Sequence, residues 1–494
     1  MKVLFIAAEA EPFAKTGGLG DVVGSLPRAL QRMDIDARVI LPHYGTIHDR
    51  AFELTYNFSF QQQRKVGTAD VHVSKTVHRG VPFYFLRSWP FFDQPYLYTD
   101  YNWDNQRFIF FAQAALGAAW HLQMGADNES GPWWPDVIHV HDWHTGLVPF
   151  LLHLTRFEDK WNQVASVMTI HNMAYQGRFA GGWLDQLDIQ PRDHPMLLAT
   201  GFTGDLLAIG LAYADKLNTV SPNHAVELHY PRFGEGLEPL IWARDMDFSG
   251  ILNGIDMEGF NPATDRHLFN NYTVDNFRTE RPANKRALQE LLDLPIRDDV
   301  PLIGVVSRLV EQKGIDMLVD ALRWLCVDTD IQVVILGSGE QDLEHMVWQM
   351  GHDFWWKVRA KTYYDPILAN RIYAGSDFIM VPSRYEPCGM TQLIAQRYGA
   401  LPVVRETGGL SDTVENYDGG AAEVGTGFSF LWESPDAIVG TLRWAFDTYH
   451  NRHEAFERMQ ERGMRKDWSW DKSAHEYLKL YEQAVSKKRA WMKP

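Results

Sequence analysis

The first 33 residues, MKVLFIAAEAEPFAKTGGLGDVVGSLPRALQRM (Met1 to Met33), combine a short apolar run, a glycine-rich loop and an amphipathic stretch. The run Val3–Ala8 has the length and composition of a buried strand, and Asp21–Met33 has the spacing of a helix. Between them, Lys15–Asp21 places a lysine and three glycines before the helix N-terminus, where backbone N–H groups are free. The stretch predicts a βα unit with an anion-binding loop, and a glycine-rich turn without a ligand is an equal alternative for the loop alone.

Short Val/Ile-rich runs alternate with helical patterns through most of the chain. Such alternation is typical of α/β proteins whose parallel sheets are covered by helices on both faces, with ligand loops at the carboxyl ends of the strands. Because Pro27 lies inside the first predicted helix, we expect a kink or a later helix start. The predicted strands are Val3–Ala8, Ala37–Leu41, Val137–Val140, Val164–Ile170, Lys216–Val220, Leu302–Ser307, Gln332–Leu336, Lys357–Thr362, Phe378–Val381 and Leu401–Val404.

The length of 494 residues exceeds the size at which a single core stops growing, so at least two domains are expected. The pattern breaks near Phe248–Pro262, and a second strand–loop–helix unit starts at Leu302. We therefore predict Rossmann-like domains at residues 1–248 and 249–467. A last helical pattern, Lys472 to Lys487, has apolar residues every three or four positions and must bury one face.

Composition excludes several classes of protein. The formal net charge of -16 argues against a broad nucleic-acid surface, which would need basic stripes. Two distant cysteines, Cys326 and Cys388, do not form a disulfide scaffold and are compatible with a reducing compartment. No apolar stretch reaches the roughly 20 residues of a membrane span, and the acids at Glu9 and Glu11 argue against a signal peptide. We expect a cytoplasmic protein.

Two loops of the second half have the residues of a phosphate site. Ser307–Gly314 holds Arg308 and Lys313, which suit the two phosphates of a nucleotide diphosphate, although a solvated basic turn is the commoner fate of such residues. In Ser383–Thr391, Glu386 precedes a predicted helix and is either a ligand-binding carboxylate or a helix cap.

The histidines divide into two groups. His139, His141 and His144 suggest a metal site, but alternate strand residues point to opposite faces, so no metal is predicted. His171 ends a predicted strand and is followed by polar residues, which suits contact with a substrate. The aromatic cluster Tyr96–Trp103 provides either platforms for sugar rings or anchors for a loop.

Taken together, these motifs resemble the bacterial glycogen synthases and plastid starch synthases, retaining glucosyltransferases of the GT-B fold. The resemblance implies two doubly wound Rossmann-like domains facing each other across a deep cleft, with the C-terminal helix (about 468–494) returning to the N-terminal domain. The Lys15–Leu19 opening resembles the enzymes that use ADP-glucose. The matching segments are Lys15–Asp21, His141–His144, His171–Gly177, Asn253–Asp256, Ser307–Gly314, Ser383–Thr391 and Thr407–Val414.

The resemblance also implies a reaction, the transfer of glucose from ADP-glucose to the non-reducing end of an α-1,4-glucan with retained configuration. Arg308 and Lys313 would neutralise the diphosphate, with Lys15 assisting from the other domain. Gly18 would offer backbone contacts and Asp21 would position the donor.

Further roles follow from the same resemblance. Glu386 is expected near the sugar hydroxyls, Tyr364 against adenine, and His171 and Asn253 around the glucose subsite. The catalytic set would be Lys15, His171, Arg308, Lys313 and Glu386. The donor-binding loop would also include Cys388, Gly389, Met390 and Thr391.

Glu386 has no second acid beside it in the sequence, whereas a retaining glycosidase pairs two carboxylates about 5 Å apart. We therefore favour same-face attack, in which the leaving phosphate takes the proton of the acceptor. No cofactor, nucleic acid or membrane partner is predicted, nor any particular oligomeric state, and a plant chain would be placed in the plastid stroma. The alternatives are a GT-B glucosyltransferase using UDP-glucose or a small acceptor (a sucrose- or trehalose-type synthase), a non-catalytic glucan-binding protein, and a metal hydrolase.

Overall fold

The computed structural model describes residues 1–419 and 424–491. The chain forms two compact units, one of Met1–Gly254 with the segment that begins at Trp470, and one of Ile255–Ser469. The predicted boundary at residue 248 falls in a strand of the first unit, Phe248–Gly250. Residues 492–494 of the predicted returning segment lie outside the described residues. In residues 1–419 and 424–491 no helix has the length and apolar character needed to span a bilayer.

The first unit contains a nine-stranded sheet in the order β3-β4-β5-β2-β1-β6-β7-β8-β9. All its strand pairs are parallel except those that β4 forms with β3 and β5. Its strands are β1 Lys2–Ile6, β2 Asp36–Pro42, β3 Thr55–Arg64, β4 Gly67–His78, β5 Val81–Arg87, β6 Val137–His141, β7 Ala165–Ile170, β8 Lys216–Thr219 and β9 Phe248–Gly250.

The antiparallel edge was not expected, since the alternating pattern predicts parallel sheets. Only Lys65 and Val66 separate β3 from β4, which is too short for the crossover that parallel strands need. The turn from β4 to β5 consists of Arg79 and Gly80, both with positive φ, as in the tight turns of right-twisted hairpins. These two turns fix the antiparallel order locally.

Helices cover the first sheet and include the last helix of the chain. The first helix starts at Gly18 and continues through Pro27, so the later start is wrong. The last helix begins at Trp470, and its buried residues, Ala474, Tyr477 and Tyr481 among them, belong to the core of this unit. The helices are α1 Gly18–Gln31, α2 Tyr101–Gln123, α3 Asp142–Thr145, α4 Val148–Leu154, α5 Gly181–Gln186, α6 Pro195–Thr200, α7 Leu206–Tyr213, α8 Pro222–Glu227, α9 Pro231–Gly234, α10 Glu238–Ala243 and α19 Trp470–Trp491, with 3-10 turns at Trp161–Gln163 and Asp245–Asp247.

The second unit contains a six-stranded parallel sheet in the order β12-β11-β10-β13-β14-β15. Alternate residues of β11 enter two different cores, Val333 and Ile335 on one face and Val334 and Leu336 on the other, so helices bury both faces. Its strands are β10 Leu302–Val306, β11 Gln332–Leu336, β12 Val358–Lys361, β13 Phe378–Val381, β14 Leu401–Arg405 and β15 Phe428–Phe430. Its helices are α11 Phe277–Leu291, α12 Ile315–Asp328, α13 Gln341–Asp353, α14 Pro366–Gly375, α15 Thr391–Arg397, α16 Gly408–Thr413, α17 Pro435–Asn451 and α18 His453–Arg465, with a 3-10 turn at Glu311–Lys313.

All ten predicted strands are present, with ends shifted by at most two residues. The structure thus confirms the prediction of two Rossmann-like α/β domains.

Candidate functional site

In each sheet, the first strand in the sequence has later strands on both of its sides, which makes its end a topological switch point. In the first sheet β1 lies between β2 and β6, and in the second β10 lies between β11 and β13. Ligands of such sheets bind beyond the carboxyl ends of the strands at this point. Lys15–Asp21 follows β1, Ser307–Gly314 follows β10 and Ser383–Thr391 follows β13. The predicted loops therefore lie at the place where this kind of sheet binds ligands.

Glu9 holds the glycine-rich loop of the first unit in place. Its buried carboxylate accepts hydrogen bonds from the backbone N–H and hydroxyl of Thr16 (both 2.7 Å), from the N–H of Gly17 (3.2 Å) and from the hydroxyl of Tyr98. Four donors on one carboxylate leave the loop little freedom. Glu9 is absent from the predicted site, although an acid directly beyond a strand is a signal that could have found it.

Lys15 and Asp21 are in direct contact within this loop. The Lys15 Nζ lies 2.5 Å from Asp21 Oδ1 and 3.0 Å from Glu11 Oε2, and the lysine side chain is 39% exposed. Burial, opposed by the Lys15 charge, raises the pKa of Asp21 to about 7. The ammonium is therefore fixed in position while remaining open to solvent, as an anion site requires.

Gly18 is the first residue of α1, which has no side-chain cap at Gly17. A Cβ added to Gly18 would meet no atom within 4 Å. The bare N-terminal turn therefore has free space over it, which allows a ligand to reach the backbone N–H groups.

His171, directly after β7, is buried and contacts the last residue of β6 and the first residue of α3. Its Nε2 lies 3.0 Å from Nδ1 of His141, and its backbone N–H donates to Asp142 Oδ1 at 2.6 Å. Burial lowers the pKa of His171 to about 3, so its ring is neutral at physiological pH. Burial also raises the pKa of Asp142 to about 7.

The two other histidines of the predicted group, His139 and His144, contact side chains of the protein core. His139 bonds the hydroxyls of Tyr481 (2.9 Å) and Thr169 (2.6 Å), and His144 stacks on Tyr98 with ring centroids 5.0 Å apart. Among residues 1–419 and 424–491, no three His, Cys, Asp or Glu side chains are grouped so that they could hold a metal ion. The metal-hydrolase hypothesis therefore has no ligand set in that part of the chain.

The remaining predicted residues of the first unit fall in two places. Asn253 follows β9, and its buried Oδ1 has no hydrogen-bond partner among residues 1–419 and 424–491. In the aromatic cluster, Tyr98 is buried and anchors its loop through Glu9, whereas Tyr96 is 63% exposed. The cluster thus contains a buried loop anchor, Tyr98, and an exposed ring that is open for stacking, Tyr96.

In the second unit the loop Ser307–Gly314 contacts the loop Ser383–Thr391. Lys313 Nζ forms an ion pair with Oε2 of Glu386, which also accepts a hydrogen bond from Ser383 Oγ at 2.9 Å. Glu386 is buried, whereas Arg308 is exposed and its guanidinium has no partner among the described residues. One cation is fixed against an acid and the other is free to bind an anion.

Side-chain contacts fix these two loops against each other. Arg384 donates to both oxygens of Asp316 (2.8 and 2.6 Å), and Gln312 Nε2 donates to the Tyr385 carbonyl at 3.1 Å. A two-pronged Arg–carboxylate contact defines orientation as well as distance. The position of Glu386 beside Lys313 is therefore determined by the surrounding loop.

The loop from Glu386 to Thr391 also packs on the start of α16. Gly408 has φ +44, and a Cβ there would collide with the Glu386 carbonyl, so only glycine fits. Gln392 Nε2 donates to the carbonyls of Cys388 and Gly389, both at 3.0 Å. Cys388 is buried, Met390 is half-buried, and Thr391 is the first residue of α15.

Tyr364 lies in the loop between β12 and α14. Its side chain is 84% exposed, so one ring face is open for stacking on a planar group.

Comparisons with known proteins agree along the whole chain. Residues 2–243 match the family model described as starch synthase catalytic domain, and residues 291–464 match that of glycosyl transferases group 1. A glycogen synthase of Streptococcus mutans is 39% identical, with 98% of this chain and 100% of that protein covered. One of Exiguobacterium sibiricum is 42% identical, with 97% and 98% covered.

A solved structure gives the same result. The catalytic domain of starch synthase IV from Arabidopsis thaliana, bound to ADP and acarbose, superposes with a TM-score of 0.87 at 32% identity, with 98% of this chain and 99% of that one covered. The fold is therefore GT-B. The chain belongs to the family of the glycogen and starch synthases, and it is a glucosyltransferase.

Proposed function

We propose that the protein transfers glucose from ADP-glucose to the non-reducing end of an α-1,4-glucan, with retention of the anomeric configuration. The observation that carries this proposal is the ion pair between Lys313 and Glu386, because the loop of Lys313 also presents Arg308, whose guanidinium has no partner among the described residues. Membership of the synthase family supports the glucan acceptor. The ADP in the related starch synthase structure supports an adenine nucleotide as donor.

The cations act on the leaving group. Cleavage of the glucosyl–phosphate bond leaves negative charge on the diphosphate, and fixed positive groups stabilise the transition state in proportion to the charge that develops. Arg308 binds one phosphate through its fork and Lys313 binds as a point charge. Lys15, with the open N-terminus of α1 at Gly18, supplies a second anion-binding loop in which Asp21 orients the ammonium.

Glu386 binds the sugar and is not the nucleophile in this proposal. A double displacement needs two carboxylates about 5 Å apart. The partners of the Glu386 carboxylate are a cation, Lys313, and a hydroxyl, that of Ser383. An anchored carboxylate of this kind suits hydrogen bonds from sugar hydroxyls, so we favour same-face attack with the diphosphate accepting the proton.

The other predicted residues complete the donor site. Tyr364 stacks on the nucleobase, and His171 and Asn253 contact the glucose through a ring nitrogen and a buried amide oxygen. In the second unit, the loop at Cys388, Gly389, Met390 and Thr391 offers backbone amides to the donor. Cys326 and Cys388 are buried and are in the thiol form, which fits a reducing cytoplasm, where we expect the reaction to occur.

The decisive experiment measures nucleotide release from ADP-glucose and UDP-glucose, each with glycogen, with maltose and with no acceptor. We expect ADP release that depends on glycogen, and an α-linked product by NMR. Preference for UDP-glucose or for a small acceptor would favour the alternative glucosyltransferase. Glycogen binding without nucleotide release would favour a non-catalytic glucan-binding protein.

Replacement of Lys15 by alanine tests the first-unit loop. The Lys15→Ala variant should lose about 100-fold or more in kcat/KM for ADP-glucose, since one fixed charge at the leaving group is removed. Its thermal midpoint should fall only slightly, because the lysine is partly exposed and the loss is limited to its ion pairs with Glu11 and Asp21. Lys479→Ala, which removes an exposed lysine of α19, is the matched control. Loss of folded protein in Lys15→Ala alone would make the residue structural.

A further inference from the structure

Hydrogen bonds to Thr169 on β7 and Tyr481 on α19 fix the tautomer of His139 on β6. The Thr169 hydroxyl donates to Asn218 Oδ1 at 2.7 Å, so its oxygen accepts the contact from His139 Nε2 at 2.6 Å. His139 Nδ1 then accepts from the Tyr481 hydroxyl at 2.9 Å. Both nitrogens of His139 are used, so this ring cannot bond His141, whose ring centroid lies 4.2 Å away.

His141 has one hydrogen-bonded nitrogen and one without a partner. Its Nδ1 lies 3.0 Å from His171 Nε2, while its Nε2 is buried and has no partner among the residues that the structure describes. Both rings are neutral because burial lowers both pKa values, so one of the two facing nitrogens donates and the other accepts. If His171 donated, His141 would carry a buried N–H without an acceptor. If His141 donates, only a lone pair is left unused, which is the cheaper arrangement.

We propose that His141 is a positioning residue that holds His171 in the Nδ1–H tautomer. His171 then presents its Nδ1–H group to the nucleotide sugar. The proton on His141 Nδ1 points to His171 Nε2, and the remaining His171 proton is therefore on Nδ1. This nitrogen has no partner in the described part of the chain, and His171 keeps 9% of its surface exposed. The inference rests on the proposed function for its substrate, but not for the tautomer itself.

The orientation of the pair is set from both sides. The backbone N–H of His171 donates to Asp142 Oδ1 at 2.6 Å, and His141 stacks on Phe5 with ring planes 12° apart. The backbone N–H of His141 also donates to Thr145 Oγ1 at 2.7 Å. With both rings fixed, the tautomer decides whether the site offers an N–H or a lone pair. An N–H suits a sugar hydroxyl or phosphate oxygen, both of which accept hydrogen bonds.

The first test needs no substrate. In wild-type protein labelled with ¹⁵N-histidine, the His171 ring should show a protonated Nδ1 and an unprotonated Nε2 at pH 7.5, assigned by comparison with His171→Gln. A protonated Nε2 would overturn the inference even if the enzyme transfers glucose. Absence of any glucosyl transfer would instead overturn the proposed function and leave the tautomer to be read directly.

The second test uses kinetics. His141→Ala should lower kcat by about 10- to 100-fold, as second-layer residues around a reactive group do, with little change in KM for ADP-glucose. His141→Asn keeps a donor near the Nδ1 position and should recover at least about tenfold of that loss. His121→Ala, which removes a half-buried histidine stacked on Phe60, is the control and should be unchanged in kcat.

A kcat of His141→Ala within about twofold of wild type, or an asparagine variant no better than the alanine one, would overturn the positioning role. If His141→Ala does not fold, the wild-type tautomer and the kcat of His141→Asn decide the question, because a structural role would not depend on which nitrogen of His171 carries the proton.

Discussion

Arg308 and Lys313 lie in one loop but differ in what holds them. Lys313 is tied to a buried carboxylate, Glu386, whereas Arg308 is exposed and unpaired within the described chain. Loss of the first charge therefore affects folding as well as binding, while loss of the second affects binding alone. Variants of the two residues therefore distinguish the contribution of a cation to stability from its contribution to catalysis.

Arg308→Gln should lower kcat/KM for ADP-glucose about 100-fold or more while changing the free energy of unfolding by less than about 0.5 kcal/mol. Lys313→Met should lower activity similarly but also cost about 1–3 kcal/mol, because Glu386 is left buried without its cation. Steady-state kinetics and urea unfolding of both variants check this. Equal loss of stability in the two would contradict the assignment.

Gly18, at the start of α1, allows a test of whether a ligand approaches the N-terminus of this helix. Gly18→Ala should fold with unchanged or slightly higher stability, since the added methyl group meets no atom within 4 Å and alanine favours a helix. The methyl group would, however, occupy the space through which a ligand reaches the backbone. We therefore expect KM for ADP-glucose to rise about tenfold or more, the effect of roughly 1.4 kcal/mol.

Gly440→Ala is the control for that substitution. Gly440 lies in α17, and its added Cβ is equally unobstructed. This variant should gain about 0.5–1 kcal/mol in stability and keep its kinetics. An unchanged KM in Gly18→Ala would show that no ligand approaches the helix there.

At the scale of elements, α19 joins the first sheet through hydroxyl groups as well as apolar packing. Tyr481 donates to His139 on β6, and Tyr477 accepts from Asn218 on β8 at 3.2 Å. Both tyrosines are fully buried. The helix thus completes hydrogen bonds of β6 and β8, the strands on either side of β7.

Tyr481→Phe should destabilise the protein by about 1–3 kcal/mol, because it leaves His139 Nδ1 buried without a donor. Leu480→Ala, at a neighbouring buried position of α19, provides a comparison in which only apolar contact is lost. Thermal unfolding measures both. A Tyr481→Phe midpoint equal to that of wild type would show that the hydrogen bond contributes nothing.

Strands that have a local apolar pattern were predictable from the sequence. The antiparallel pairing of β3 with β4 was not. Val333 to Leu336 are apolar on both faces, the pattern of a strand buried on both sides, and several of the ten predicted strands have runs of this kind. The β3–β4 pair has polar residues such as Gln61 and Gln63 on an edge, which weakens the apolar signal. Its order depends on two short turns, whose geometry a composition pattern does not contain.

The same distinction applies to the site. The loops at Lys15 and Lys313 were predictable because glycine and charge directly follow a strand. Glu9, which holds the first loop, and Asp316, which holds Arg384, act through contacts that exist only after folding. The assignment of roles to the predicted site residues remains a prediction, and the variants above test it.

At the scale of the whole molecule, buried neutral histidines make stability depend on pH. Burial lowers the pKa of His144 from 6.5 to about 3. Between those values the unfolded chain binds a proton that the folded protein does not, so stability falls as pH decreases from 6.5 toward 3. For this residue the loss is about 1.4 kcal/mol for each pH unit.

His144→Phe should remove that dependence while keeping the ring contacts with Tyr98, Phe108 and Trp143. The wild type should therefore lose stability relative to the variant when urea unfolding is compared at pH 7.5 and pH 4.5. Other titrating groups cancel in the difference. Parallel shifts in both proteins would contradict the burial of a neutral His144.

The path of the chain has a consequence for synthesis on the ribosome. The first unit needs α19, yet the whole second unit, Ile255–Ser469, is translated before Trp470 emerges. Until then the groove that α19 fills, with His139 and Asn218 at its base, is uncovered on a nascent polypeptide that already contains a finished second core. Translation that halts before residue 470 would thus release a protein whose second unit is complete and whose first unit lacks the helix that covers this groove.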